Sequence, residues 1–185
     1  MRAPKWLLLA AGFVALQVAA LALMGHPVLC ACGTVKLWHG LVSSPETSQH
    51  LIDWYTFSHV IHGFAFYLLL WLLAPAWPLG VRFALAIGLE ATWEIVENTP
   101  MLMERYREGA LAQGYFGDSI INSVMDTLAM ATGFVLARLL PPWATVTLAL
   151  AMELFTGATV RDNLTLNIIQ LLHPTDAISR WQVGK

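Results

Sequence analysis

Residues 6–24, WLLLAAGFVALQVAALALM, decide the fold class of this chain. The stretch carries no charged side chain, and its 19 residues rise about 1.5 Å each when helical, close to the thickness of a hydrocarbon layer of about 30 Å. In such a layer backbone polar groups must be bonded within the segment, so a helix is the form that fits. Ala20 and Ala22 supply an Ala-x-Ala pattern like that of a signal-peptide cleavage site. The apolar run exceeds the roughly 7–15 residues of a signal-peptide core, however, so it reads as a first spanning helix.

Four more segments follow the same logic: residues 56–74, 79–98, 119–140 and 143–157. Pro75, Pro78, Pro100 and the Pro141-Pro142 pair punctuate them, because proline lacks the helix-donating N–H. Trp6, Trp54, Trp77 and Trp143 fall at segment ends, where an aromatic belt would sit. Composition agrees: 57% of residues are hydrophobic and 12% charged, against about 25% charged in soluble domains. A net charge of −2 excludes an extended basic nucleic-acid surface. Residues 158–185 differ in kind, with Val160, Leu164, Ile168, Leu171 and Leu172 forming one helical stripe. The predicted fold is all-α, an integral membrane helical bundle of about five transmembrane helices over 1–185, with a C-terminal amphipathic helix on the membrane or against the bundle.

Arg2 and Lys5 favour a cytoplasmic N-terminus, and Arg82 and Arg138 mark the same side if there are five spans. Lys36, Arg105, Arg107, Arg161, Arg180 and Lys185 then lie outside. Short inner segments weigh more than longer loops, which gives an inside N-terminus and an outside C-terminus. The two cysteines, Cys30 and Cys32, lie in a Cys-Ala-Cys run with His26 and His39 nearby. They read as loop thiols, or as a pair oxidised outside the cytoplasm; a metal or redox role would need further ligands.

With that topology, polar residues from several helices gather at the outer end. Tyr55, His59 and His62 share a face at the start of the second segment, and Glu90, Glu94 and Glu97 share one on the third. Asp118, Asn122 and Asp126 follow on the fourth, and Glu153 on the fifth. An ionised carboxylate at a helix centre costs about 2.5–3.5 kcal/mol on insertion scales, so Glu90 must face protein, water or a positive partner, or be protonated. Imidazoles and carboxylates together suit a divalent metal such as zinc, manganese or iron. His59, His62, Glu94 and Asp118 are the candidate ligands, with Glu90 or Glu97 as the catalytic base. Arg105 and Arg161 could anchor a phosphate or carboxylate. Tyr55, Asn98, Asn122, Asp126 and Glu153 would support the network.

Blander roles stand beside these. The histidines could cap a helix entrance, Asp118 could be an N-cap, and Asn122 and Asp126 could bond helices together. Residues 104–108 could be a solvated charged loop, and Ser58 beside His59 leaves a serine nucleophile conceivable.

The runs DWYTFSH from Asp53 to His59, EATWEIVEN from Glu90 to Asn98, Gly117 to Asp126, and RDNL from Arg161 to Leu164 resemble an alphaproteobacterial membrane family, domain of unknown function 2585. The resemblance implies a multi-pass inner-membrane protein and supplies no reaction. A weaker likeness, in polar pattern alone, is to VanZ-like membrane proteins. Three functions remain open: a metal-dependent hydrolase of a lipid or envelope molecule, a non-catalytic assembly or binding subunit, and a proton-coupled transporter. The expected partners are membrane lipids and a second membrane protein or another copy of the chain, with no nucleic acid.

Overall fold

The computed structural model describes residues 4–109 and 111–184. Arg2 and Lys185, both used above for orientation, lie outside the described residues. The described residues form eight helices and contain no named strand, only an isolated parallel bridge between Trp38 and Ile52.

Helix α1 (Lys5–Leu23) ends at Gly25, whose φ of 88° lets the chain turn into a long irregular segment reaching Tyr55. That segment hands over to α2 (Thr56–Leu73) through a local cap. The Asp53 carboxylate accepts the Tyr55 N–H at 2.8 Å while Thr56 Oγ1 accepts the Asp53 N–H at 3.1 Å. Prolines set the next boundaries: Pro78 precedes α3 (Leu79–Glu97), and Pro100 opens the short α4 (Pro100–Arg107). Ser119 caps α5 (Ile120–Leu139), its hydroxyl accepting the Asn122 N–H at 3.3 Å. Helix α6 (Pro142–Val160) is followed by α7 (Leu164–Leu172) and α8 (Asp176–Gln182).

The principal helix pair is α2 with α5, running in the same direction and meeting through glycines. A Cβ on Gly63 would stand 2.1 Å from the Met130 carbonyl oxygen, and one on Gly133 2.1 Å from that of Val60. Only glycine permits such backbone approach. Helix α1 packs along α3, where Trp6 covers Gly80 and Phe13 covers Gly88. The apolar core, including Leu70, Ala84, Ile87, Met130 and Phe134, fills the half of the bundle away from the start of α2.

Among the described residues four helices, α1, α2, α5 and α6, are long and apolar enough to cross a membrane, not the five expected. The exception is α3, whose 19 residues include Arg82, Glu90, Glu94 and Glu97. Large apolar side chains such as Leu8, Leu16, Leu72, Trp143 and Leu154 point outward, as they would toward lipid. Two other expectations are corrected. The segment around Arg105 is helical rather than a loop, and the tail is two helices broken at His173-Pro174 rather than one, with Leu164, Ile168, Leu171 and Leu172 of the expected stripe on the first.

Candidate functional site

The polar ends of α2, α3 and α5 converge on His59. Its Nδ1 lies 2.5 Å from Glu90 Oε1 and 3.4 Å from Glu94 Oε1, and its Nε2 lies 3.7 Å from Asp126 Oδ2. One turn along α2, His62 Nδ1 faces both Glu90 oxygens, at 3.2 and 3.1 Å. Glu90 and Glu94 are fully buried. Ser123 donates to Glu94 Oε2 at 2.7 Å, which leaves Glu94 Oε1 buried without a hydrogen-bond partner. Two groups therefore offer ligand atoms within 4.8 Å of one another: His59, Glu94 and Asp126, and His59, His62 and Glu90.

Asp118, expected as a ligand, joins neither group. Both of its oxygens are occupied, one by Asn98 Nδ2 at 2.6 Å and the other by the Tyr115 hydroxyl at 2.9 Å. Nor is it the N-cap of α5; Ser119 is. Burial pushes the Asp118 carboxyl up, against the donors Asn98 and Tyr115 that hold it down.

The cluster opens on a cavity of about 140 Å³. His59, His62, Asp126 and Trp93 lie on its bundle side, Glu97, Arg105 and Tyr106 line it from α3 and α4, and Leu164, Ile168 and Leu171 line it from α7. The apolar stripe of the tail thus covers the site. Tyr55, Tyr106 and Tyr115 also line the cavity. Burial first, with Asp162, Glu97 and Asp118 respectively beside them, pushes all three hydroxyls up, so each remains a proton donor.

Several expected residues hold the cover rather than the cluster. Arg105 lines the cavity while its Nε donates to the Leu171 carbonyl at 3.2 Å, tying α4 to α7. Arg161 does not line the cavity; it donates to the Trp181 carbonyl at 3.2 Å. Glu153 accepts the Leu164 and Thr165 N–H groups at 3.0 Å each, satisfying the open donors at the start of α7. Asn122 donates to the His50 carbonyl at 2.8 Å and pins the long segment to α5.

Sequence reasoning gave no role to Gln17, nor to Asp162 and the Thr47–Asp53 stretch, although Asp53 and Asp162 lie in the runs that carry the family resemblance. Gln17 is fully buried, donates to Ser123 Oγ at 2.7 Å and accepts from Thr127 Oγ1 at 2.9 Å, which extends the Glu94 network into α1. It is the one strongly polar side chain between Trp6 and Met24, and that was a usable signal. Asp162 gathers the Tyr55 hydroxyl at 2.9 Å and the Gln182 amide at 3.2 Å, joining the start of α2 to α8. The Cys30 and Cys32 sulfurs are joined as a disulfide.

A family model described as "Protein of unknown function (DUF2585)" matches residues 21–184. A UPF0314 protein of Sinorhizobium fredii is 55% identical over 179 residues, covering 97% of this chain and 91% of the relative. One from Rhizobium meliloti is 55% identical over 183 residues, covering 99% and 93%. One from Sphingopyxis alaskensis is 54% identical over 177 residues, covering 96% and 94%. No solved structure matches the chain significantly.

Proposed function

The chain belongs to the DUF2585, or UPF0314, family of alphaproteobacterial proteins of unknown function, and from that premise we propose that it is a multi-pass inner-membrane protein whose outward-facing His/carboxylate site binds a divalent metal and hydrolyses a lipid or envelope substrate. The observation that carries this reading is Glu94 Oε1. It is a buried carboxylate oxygen with no hydrogen-bond partner, and its residue belongs to a three-residue ligand set beside a cavity. His59 Nδ1 stands 3.4 Å from this oxygen but is committed to Glu90 Oε1 at 2.5 Å, so Glu94 Oε1 keeps a burial cost that a cation among His59, Glu94 and Asp126 would relieve. Three protein ligands with room for water is the usual form of a catalytic zinc site, where the metal lowers the pKa of its water to about 7. In this reading Glu97, on the cavity wall, takes the proton; Glu90 already holds both histidines and serves better to orient them. Arg105 is the cation on the cavity wall; its Nη1 pairs with Glu108 Oε2 at 2.6 Å, so an anionic substrate group would share it with Glu108 or displace that carboxylate.

A non-catalytic assembly subunit is the second reading. The 2.5 Å contact of His59 with Glu90 and the chain from Glu94 through Ser123 to Gln17 favour it, because such bonds also fix helix register. A transporter is weaker, since the half of the bundle away from the cluster is packed with apolar side chains.

Elemental analysis of detergent-purified protein separates these readings. Near-stoichiometric zinc, manganese or iron, lost in both His59→Ala and Glu94→Gln, is expected. A folded wild-type protein that stays metal-free after metal is offered back would leave the assembly reading.

A further inference from the structure

The long segment between α1 and α2 carries a second group of ligand side chains, remote in kind from the first because it contains sulfur. Cys30, Cys32, Glu46 and His50 each offer one ligand atom, all within 4.8 Å of one another. Ligands on a tetrahedral zinc stand about 3.3–3.7 Å apart, given bonds of about 2.0–2.3 Å, so the two sulfurs, bonded to each other here, must part while Glu46 and His50 draw in.

Backbone geometry holds these residues together. The Cys32 N–H donates to Cys30 Sγ at 3.2 Å, and Gly33, at φ 79°, completes a turn in which its N–H reaches the Cys30 carbonyl at 3.0 Å. The Lys36–His39 stretch runs beside His50–Ile52, with the Leu51 N–H on the Lys36 carbonyl at 3.1 Å and the His39 N–H on that of Ile52 at 3.0 Å. His50 is buried and its Nε2 lies 2.9 Å from Glu46 Oε2. A cation already occupies the group, since the Lys36 ammonium pairs with the same Glu46 oxygen. A second buried imidazole, His39, lies beside it with ring centroids 5.1 Å apart, Nδ1 4.0 Å from Glu46 Oε2, and Nε2 without a hydrogen-bond partner.

We propose that Cys30, Cys32, Glu46 and His50 form a binding site for a thiophilic divalent cation, with zinc as its probe, that opens when the two cysteines are reduced and closes when they are joined. A dithiol reductant gives two electrons and two protons to the disulfide and leaves as its own disulfide. The two thiols then release their protons to solvent on binding the cation, which takes the place of the Lys36 ammonium on Glu46. Two thiolates, an imidazole and a carboxylate make a soft, closed set that suits a structural site. Its consequence would be mechanical: His50 and Ser48 bond through their carbonyls to Asn122 and to the Ser119 N–H, at 2.8 and 3.0 Å, so a cation here would rivet the segment that walls the cavity.

The test compares one chain before and after reduction, in detergent and without oxygen, using cobalt and then zinc. The reduced full-length protein is expected to bind one further equivalent and to develop a sulfur-to-cobalt charge-transfer band. Zinc should erase that band, and Cys30→Ser should lack it. His59→Ala should keep it, which separates this site from the one proposed between the helices. Reduced protein that retains its helical signal yet shows two freely reactive thiols and no band would overturn the proposal. So would loss of that signal on reduction, because the site requires a folded segment around free thiols.

Discussion

Asp162 shows how one buried carboxyl can govern the cover of the cavity. It accepts from the Tyr55 hydroxyl, the Asn163 N–H and Gln182, and burial pushes its carboxyl up to about 6. Because the folded value lies above the ordinary 3.8, the folded state binds the proton more tightly than the opened one. Stability from this group is therefore fully present below pH 4, falls as pH rises toward 6, and is flat above. The upper bound is about 3 kcal/mol. Hydrogen-exchange protection of α8, corrected for intrinsic rates, should be greater at pH 4.5 than at pH 7. Asp162→Asn keeps an acceptor and a donor in place and should remove the difference; equal protection in the wild type at both pH values would refute the clamp. The sequence gives little warning of this residue, since its significance depends on Tyr55 and Gln182 arriving from 107 and 20 positions away. His59, Glu90 and Glu94 were legible for the opposite reason: helical spacing alone puts them on faces, and apolar surroundings demand partners. Asp118 falls outside both ligand groups: spacing places a side chain but does not say that Asn98 and Tyr115 will engage its two oxygens.

Helices were the most readable part of the chain. The expected segment 79–98 became Leu79–Glu97 and 119–140 became Ile120–Leu139, because proline and N-cap chemistry act within a few residues of each boundary. Helix α4 was missed: its Glu104 to Glu108 run reads as a solvated loop, whereas Pro100 at its first turn starts a helix. Which helices pair was invisible, since apolar periodicity does not name a neighbour; Gly63 and Gly133 did carry the information, but only as two unremarked small residues. They make a sharp prediction. A valine at Gly133 or Gly63 meets backbone, which cannot swing aside, so overpacking should cost about 3 kcal/mol, the upper end of the usual 1–3 or beyond. Gly12 has nothing within 4 Å of an added Cβ. Thermal unfolding in detergent should drop strongly for Gly133→Val and Gly63→Val and little for Gly12→Val. Equal midpoints would mean that α2 and α5 do not cross at these glycines.

Whether the chain threads a membrane five times turns on α3, the long helix that fails on composition. Its acidic groups do not face outward unpaired: Glu90 meets His59 and His62, and Glu94 meets His59 and Ser123. Such pairing is the condition under which intramembrane carboxylates persist. Helix α3 also lies against α1, with Phe13 over Gly88, so α1 cannot cross the bilayer while α3 lies flat on its surface. The crossing number fixes where the chain ends. Five crossings put the termini on opposite sides, whereas four put them on the same side. If Lys5, Arg82 and Arg138 face the cytoplasm, as proposed, the segment bearing the Cys30–Cys32 disulfide, the cavity and α8 would all fall outside, the compartment where disulfides persist. Full-length protein carrying a C-terminal phosphatase reporter that works only outside the cytoplasm should be active, and a C-terminal fluorescent reporter that folds only inside should stay dark. The reverse pattern would put both termini in the cytoplasm and remove α3 from the membrane. The His59 cluster would then need a different account, because two of its carboxylates, Glu90 and Glu94, would no longer be carried by a spanning helix.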